Sequence, residues 1–262
     1  MIKLTNISSK SKNAPTLFLI AGGPGLSSIT LRSMDVLARS FNLAYVDMPG
    51  TNGNPYTKDH SHQELSEALQ LAVKQVAGKK FVLGHSYGGF LAADCLLAGV
   101  CDGIVCVATP FSDESLNDAS KNYETHMTDA LVAAGNEWGK KKDDRALARW
   151  LSEYGKLYFC NPDGKNLILN DKVSAKYFIA NRGDIGPTGS VDKVALLRNL
   201  SAYKCVRLFI AGAEDKLLPE KLLKEDSNRG GFDFASVKDA SHFVTFDQPE
   251  IVARLIEDKL LR

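Results

Sequence analysis

The chain has 262 residues, of which 44% are apolar and 24% charged, and its formal net charge at pH 7 is +1. That length suits one α/β domain carrying an insertion, and the composition is that of a globular protein with a sizeable apolar core. With no basic stripe, nucleic acid is not an expected partner; with no run near the roughly 18 apolar residues that a membrane helix needs, neither is a membrane. The first 13 residues lack the apolar segment of a secretory signal. The five cysteines (Cys95, Cys101, Cys106, Cys160, Cys205) are odd in number and irregularly spaced. Reduced thiols and a cytoplasmic location are therefore expected.

In chain order, short apolar runs alternate with helical spacing. Leu17-Phe18-Leu19-Ile20 reads as a strand ending in glycines. Apolar positions over 27–39 predict a helix, Leu43-Ala44-Tyr45-Val46 a strand ending at Asp47, and 62–76 a helix with Leu65, Leu69 and Val73 on one face. Phe81-Val82-Leu83 is a third strand, 90–97 a helix, and Ile104-Val105-Cys106-Val107 a fourth strand. From 111 to 203 the rhythm changes: helices are predicted over 115–134, 143–158, 171–180 and 191–201, with no convincing strand. Lys140-Lys141-Lys142 within it reads as a solvated hinge or helix start. Strands resume at Leu208-Phe209-Ile210 and Phe234-Ala235-Ser236-Val237, and a helix over 250–261 closes the chain. Fully apolar strands separated by helices predict a mostly parallel, doubly wound sheet covered on both faces. The expected organisation is a core of 1–110 and 204–262 with a helical insertion at 111–203.

The chemistry begins at Gly84-His85-Ser86-Tyr87-Gly88, a G-x-S-x-G pattern between a strand and a helix. Such a turn aims the serine Oγ out of the sheet and the following helix N-terminus at a developing oxyanion. Ser86 is the candidate nucleophile. Two main-chain N–H donors are then needed. Tyr87, next in the chain, offers one; Gly23 in Ala21-Gly22-Gly23-Pro24-Gly25 is the choice for the other, with Gly22 as fallback, because Pro24 has no N–H. The same loop partly matches a dinucleotide fingerprint with Asp47 as the ribose acid, but Ser28 stands where the third glycine belongs and the serine motif is left unexplained.

A serine needs a base. Of the five histidines, His242 follows the last strand and shares the C-terminal sheet edge with Ser86; His62 is the second candidate, and His85 is expected to point away into packing. The orienting acid is expected between Ser86 and His242 in the chain. Asp215, after the Leu208–Ile210 run, is the candidate, with Asp113 the alternative and Glu214 expected to face elsewhere. No metal-ligand spacing occurs and no cofactor is expected.

Together, Gly22-Gly23-Pro24-Gly25, Asp47-Met48-Pro49-Gly50, Gly84–Gly89, Gly212 to Pro219 and Ser241-His242-Phe243 make the chain resemble the α/β-hydrolase superfamily over nearly its whole length. The Gly-Gly-Pro-Gly loop is similar to that of proline iminopeptidases, although Ala21 stands where those carry histidine and His85 where they often carry glycine. Only 16 residues precede Leu17, so one of the usual leading strands is expected to be missing. The resemblance implies a Ser86–His242–Asp215 hydrolase with 111–203 as a helical lid, acting on a small ester or amide or a short peptide. Esterase or thioesterase activity is the alternative, and a silent hydrolase-fold binding protein is the alternative of another class. In an aminopeptidase, Glu124, Glu137 and Glu153 are candidates to hold a substrate amine. The insertion's aromatic residues Tyr123, Trp138, Trp150, Tyr154, Tyr158 and Phe159 are expected to form its own core rather than a pocket. The sequence leaves the oligomeric state open.

Overall fold

The structure, a computed structural model, describes residues 2–11, 13–186 and 188–262. Pro187, within the glycine-punctuated stretch at 183–189, lies outside the described residues. Seven strands form one sheet: β1 (Lys3–Ile7), β2 (Thr16–Ile20), β3 (Asn42–Asp47), β4 (Lys80–His85), β5 (Gly103–Val107), β6 (Val206–Gly212) and β7 (Asp233–Val237). The spatial order is β1-β3-β2-β4-β5-β6-β7. β1 runs antiparallel on β3 and every other pair is parallel. β5 is buried at all five positions and β4 at five of six, as strands covered on both faces must be. The sequence reading missed β1. Its residues are exposed or half-buried throughout, so this edge strand carries no continuous apolar run. Among the described residues one strand, β1, precedes β2.

The chain leaves β2, builds β3 on one side, then crosses to build β4 on the other. That reversal opens a crevice between the C-terminal ends of β2 and β4. The Gly22–Gly25 loop and Ser86 end those two strands, so topology alone sets them side by side.

A 3-10 helix (Ser28–Arg39) follows β2, and α1 (His62–Gln75) precedes β4. Ser61 and Glu64 form a reciprocal capping box that fixes where α1 starts. α2 (Gly88–Leu97) follows the serine turn. Among the described residues, six α-helices and a short 3-10 helix (Gly155–Leu157) fill the stretch between β5 and β6: α3 (Asp113–Thr125), α4 (Asp129–Lys141), α5 (Asp144–Ser152), α6 (Gly164–Leu169), α7 (Ala175–Asn181) and α8 (Lys193–Ala202). α9 (Glu220–Arg229) precedes β7, and α10 (Val244–Asp247) and α11 (Pro249–Leu260) end the chain.

Three helix expectations in the insertion are corrected. The single helix over 115–134 is two, because the Thr128 hydroxyl accepts from Leu131 N and restarts the chain as α4. The helix over 143–158 stops at Ser152, ahead of Gly155 with φ at +47°. The helix over 171–180 begins only at Ala175, where Ser174 caps it, since Asp171 is engaged elsewhere. The Lys140–Lys142 run ends α4 rather than starting a helix, with Lys142 in the left-handed conformation as its cap.

The insertion is fastened at both sides of the crevice. On one side, Ser241 N and Cys160 N donate to Asp247 Oδ2 at 2.9 and 3.0 Å, and Asn161 N donates to Asp247 Oδ1 at 3.0 Å. Phe243 N donates to Tyr158 O at 2.9 Å. On the other side, Ser174 N donates to Gly25 O at 2.8 Å and Ser27 N to Asp171 Oδ2 at 2.9 Å. One carboxylate with three amide donors is a vulnerable joint. Asp247→Ala is expected to cost about 1–3 kcal/mol and to speed amide hydrogen exchange at Cys160, Asn161 and Ser241 while β4 and β5 stay protected. Unchanged exchange at those three amides would contradict this attachment.

Candidate active site

Ser86 stands between the end of β4 and the start of α2 with φ at +50°, the left-handed region that a serine rarely adopts. Its N–H donates to Val107 O at 2.8 Å and its carbonyl accepts from Gly89 N at 2.9 Å. The turn needs room on the β2 side. A Cβ on Gly22 would lie 2.9 Å from Ser86 Cβ, and one on Gly88 would lie 2.5 Å from Ile20 O. Glycine at those two positions lets the β2 loop rest directly against the serine turn. Among the described residues, neither Gly23 N nor Tyr87 N donates a hydrogen bond, so both amides are available to a ligand.

His242 and Asp215 come from the loops after β7 and β6. The His242 ring is 3% exposed, and its Nδ1 lies 3.1 Å from Asp215 Oδ2. Asp215 Oδ1 accepts from Leu217 N at 2.9 Å and Leu218 N at 2.8 Å, which fixes the carboxylate plane. A carboxylate oxygen accepts, so Nδ1 carries the hydrogen and Nε2 presents its lone pair. The two loops are laced together: Glu214 Oε2 accepts from Ala240 N at 3.1 Å, and Glu214 N donates to Ala240 O at 3.0 Å. Glu214 thus faces away from His242, as expected. Asp113, the alternative acid, instead pairs with Lys193 at 2.9 Å.

Ser86, Gly23 and His242 line one cavity of about 540 Å³. Ser86 Oγ makes no hydrogen bond among the described residues. Its far wall belongs to the insertion: Tyr123, Trp150, Tyr154, Tyr158 and Phe178. Here the sequence expectation is corrected. Of the six aromatic residues assigned to the insertion's own core, Trp138 and Phe159 are buried away from the cavity; the other four line it as a chain of ring contacts from Tyr123 and Trp150 through Tyr154 to Tyr158. Tyr158 lies against the His242 ring with centroids 5.3 Å apart and planes 22° from parallel. Of the three glutamates considered, Glu137 pairs with Lys141 and Arg149 and Glu153 with Lys165, while Glu124 lines the cavity with Arg182.

His85 and His62 are engaged away from Ser86. His85 is fully buried, and its Nε2–H donates to the His242 carbonyl at 3.0 Å. Burial, with His242 nearby, pushes its pKa down to about 3. The ring is a neutral brace beneath the histidine loop. His62 is 2.8 Å from the Tyr87 hydroxyl and 2.9 Å from Asp94, so it is not beside Ser86 Oγ as a second base would be. Among the described residues no group of three or more His, Cys, Asp or Glu could hold a metal ion, and no helix is long and apolar enough to cross a membrane. All five cysteines are unbonded to one another.

The alpha/beta hydrolase family model matches residues 17–255. The chain belongs to this family. Membership supports a generic serine-hydrolase, esterase-type activity. The hydrolase fold is shared with several solved structures. An esterase from Thermogutta terrifontis is 16% identical at a TM-score of 0.72, covering 99% of this chain and 93% of its own. An esterase from a Rhodococcus species is 19% identical at 0.71, covering 97% and 93%. A proline iminopeptidase from Mycobacterium smegmatis is 14% identical at 0.67, covering 99% and 95%. No curated protein matches the chain.

Asp171 carries no local mark of its role, because its partner Ser27 is 144 residues away. Its carboxylate accepts from both the N–H and the hydroxyl of Ser27, just after the Gly23 loop. Burial raises its pKa to about 7, against the lowering effect of those bonds and with Asp47 raising it further. A carboxyl held above its unfolded value binds its proton more tightly in the folded state, so its stabilising contribution is present below about pH 4 and lost as pH rises to about 7. The stability of the wild type minus that of Asp171→Asn is therefore expected to fall between pH 4 and pH 7 in urea unfolding. A difference that is flat or rises with pH would contradict the raised value.

Proposed function

We propose that this hydrolase-family chain is a serine hydrolase that cleaves small esters with an apolar or aromatic body. The observation that supports it best is the buried His242–Asp215 pair, which opens with Ser86 onto one cavity. In this reading Ser86 Oγ attacks the ester carbonyl carbon and passes its proton to His242 Nε2. Asp215 holds the imidazole in the required tautomer and steadies the imidazolium that forms. The carbonyl oxygen, now an anion, takes hydrogen bonds from Gly23 N and Tyr87 N. The tetrahedral intermediate expels the alcohol, which receives the proton from His242. Water, deprotonated by the same nitrogen, then attacks the acyl-enzyme and frees the acid and Ser86. The residues from 111 to 203 act as a lid whose aromatic wall receives the substrate's apolar part and limits water.

An aminopeptidase acting on amides of small amino acids is the second reading. It is favoured by the Gly-Gly-Pro-Gly loop and by Glu124, an acid in the cavity that forms no ion pair among the described residues. Against it, Glu137 and Glu153 already neutralise surface cations, which leaves one carboxylate, opposed by Arg182, to bind an amine.

Aryl esters of short acids are expected to turn over faster than aminoacyl arylamides; the reverse order would favour the second reading. With the preferred substrate, Ser86→Ala is expected to lower kcat by about 10⁶ and Asp215→Asn by about 10⁴, with KM little changed in both. Ester turnover that survives Ser86→Ala would overturn the assignment.

A further inference from the structure

Behind the serine turn lies a second polar chain that the mechanism does not use. His62, the first residue of α1, has Nδ1 2.8 Å from the Tyr87 hydroxyl and Nε2 2.9 Å from Asp94 Oδ2. Asp94 is on α2, whose first residue follows Tyr87. Because Asp94 accepts, Nε2 carries the hydrogen; Nδ1 is then the acceptor and Tyr87 O–H the donor. His62 and Tyr87 are buried, at 6% and 1% exposed, while the Asp94 side chain is 25% exposed. The Tyr87 ring packs edge-on against His62 and Tyr177, at 5.7 and 6.5 Å between centroids.

The position of the phenol gives this chain its meaning. The peptide between Ser86 and Tyr87 joins a residue at φ +50° to the first turn of α2. If Ser86 relaxed toward a negative φ, that peptide would rotate and carry Tyr87 N–H with it. The phenol is the long arm of the same residue, so holding its far end resists rotation at the near end. Filling the space alone would require only an apolar ring. Here the hydroxyl is bonded to a histidine that is itself oriented by a carboxylate, and this fixes the ring in angle as well as in depth.

We propose that Asp94, His62 and Tyr87 form a positioning device for the oxyanion donor, with His62 as the positioning residue that keeps Tyr87 N–H aimed at the developing charge. The inference rests on the serine-hydrolase reading above. The oxyanion exists in the transition state and not in the bound ester, so the device acts on kcat and not on KM.

The test uses the purified full chain, p-nitrophenyl acetate as substrate, and His62→Ala, Tyr87→Phe, their double variant and Asp94→Asn, all assayed well below the unfolding temperature of the least stable of them. Each of the first two is expected to lower kcat on the order of 10-fold, less than the 10²–10³ for losing a donor outright, with KM within about twofold. The double variant is expected to be no slower than the slower single one, since both break the same chain. Asp94→Asn, whose amide oxygen still accepts from Nε2–H, is expected to keep most of the rate. Equal kcat in the folded variants, a change in KM alone, or multiplying effects in the double variant would overturn the proposal. If His62→Ala does not fold, Tyr87→Phe, which removes one oxygen and no bulk, decides on its own. Wild-type protein that neither hydrolyses the ester nor takes a fluorophosphonate on Ser86 overturns the hydrolase reading itself, and the proposal with it. Labelled, active wild type with unaffected variants overturns the proposal alone.

Discussion

The left-handed backbone of Ser86 is the constraint around which the neighbouring residues are arranged. A non-glycine residue held there costs about 1–3 kcal/mol, and the conformation persists only where the surroundings enforce it. Here a hydrogen bond to β5, the first turn of α2 and the bare backbone of the β2 loop do so together. The strain lifts Oγ clear of the sheet. The crossover of the chain between β2 and β4 puts the Gly23 amide beside the turn, and the loops after β6 and β7 deliver an acid and a histidine to the same edge. A parallel sheet with one reversal of strand order thus assembles four separate segments without any of them reaching far.

The insertion is part of this edge rather than an appendage to it. It is tied to the histidine loop through Asp247 and to the glycine loop through Asp171 and Ser174. Movement of one fastening would be felt by a different half of the proposed machinery. Two buried titratable groups near these joints have opposite characters. His85 is kept neutral by desolvation and braces the His242 carbonyl, whereas Asp171 is kept near its ionisation point by burial beside Asp47. Their contributions to stability run in opposite directions with pH over the acid range.

The fold class was legible in the sequence because β2 to β6 are buried on both faces and so read as unbroken apolar runs. The edge strand β1 was not, since half-buried residues leave no such signature. Ser86, His242 and Asp215 could be named from a short motif and chain order, and the structure brings the last two into contact and all three to one sheet edge. The cavity wall could not be read. Whether Tyr123, Trp150, Tyr154 and Tyr158 face each other or a ligand depends on how α3, α5 and the segment after α5 sit over the sheet, and helical periodicity shows only that one face is apolar. Helix ends in the insertion failed for a related reason: Thr128 and Ser174 are caps whose effect overrides continuing apolar spacing. Asp171, Asp247 and the Asp94–His62–Tyr87 chain act over long separations in sequence, and single residues of ordinary type give no local sign of that.

In the proposed mechanism one atom attached to Ser86 faces both amide donors while His242 stands ready beside it. A crystal structure of the protein after reaction with an aryl phosphonate tests this directly. Phosphorus is expected bonded to Ser86 Oγ, with one phosphonyl oxygen about 2.7–3.1 Å from both Gly23 N and Tyr87 N, and His242 Nε2 within hydrogen-bond reach of Ser86 Oγ. Phosphorus on another residue, or a phosphonyl oxygen turned away from those two amides, would contradict it.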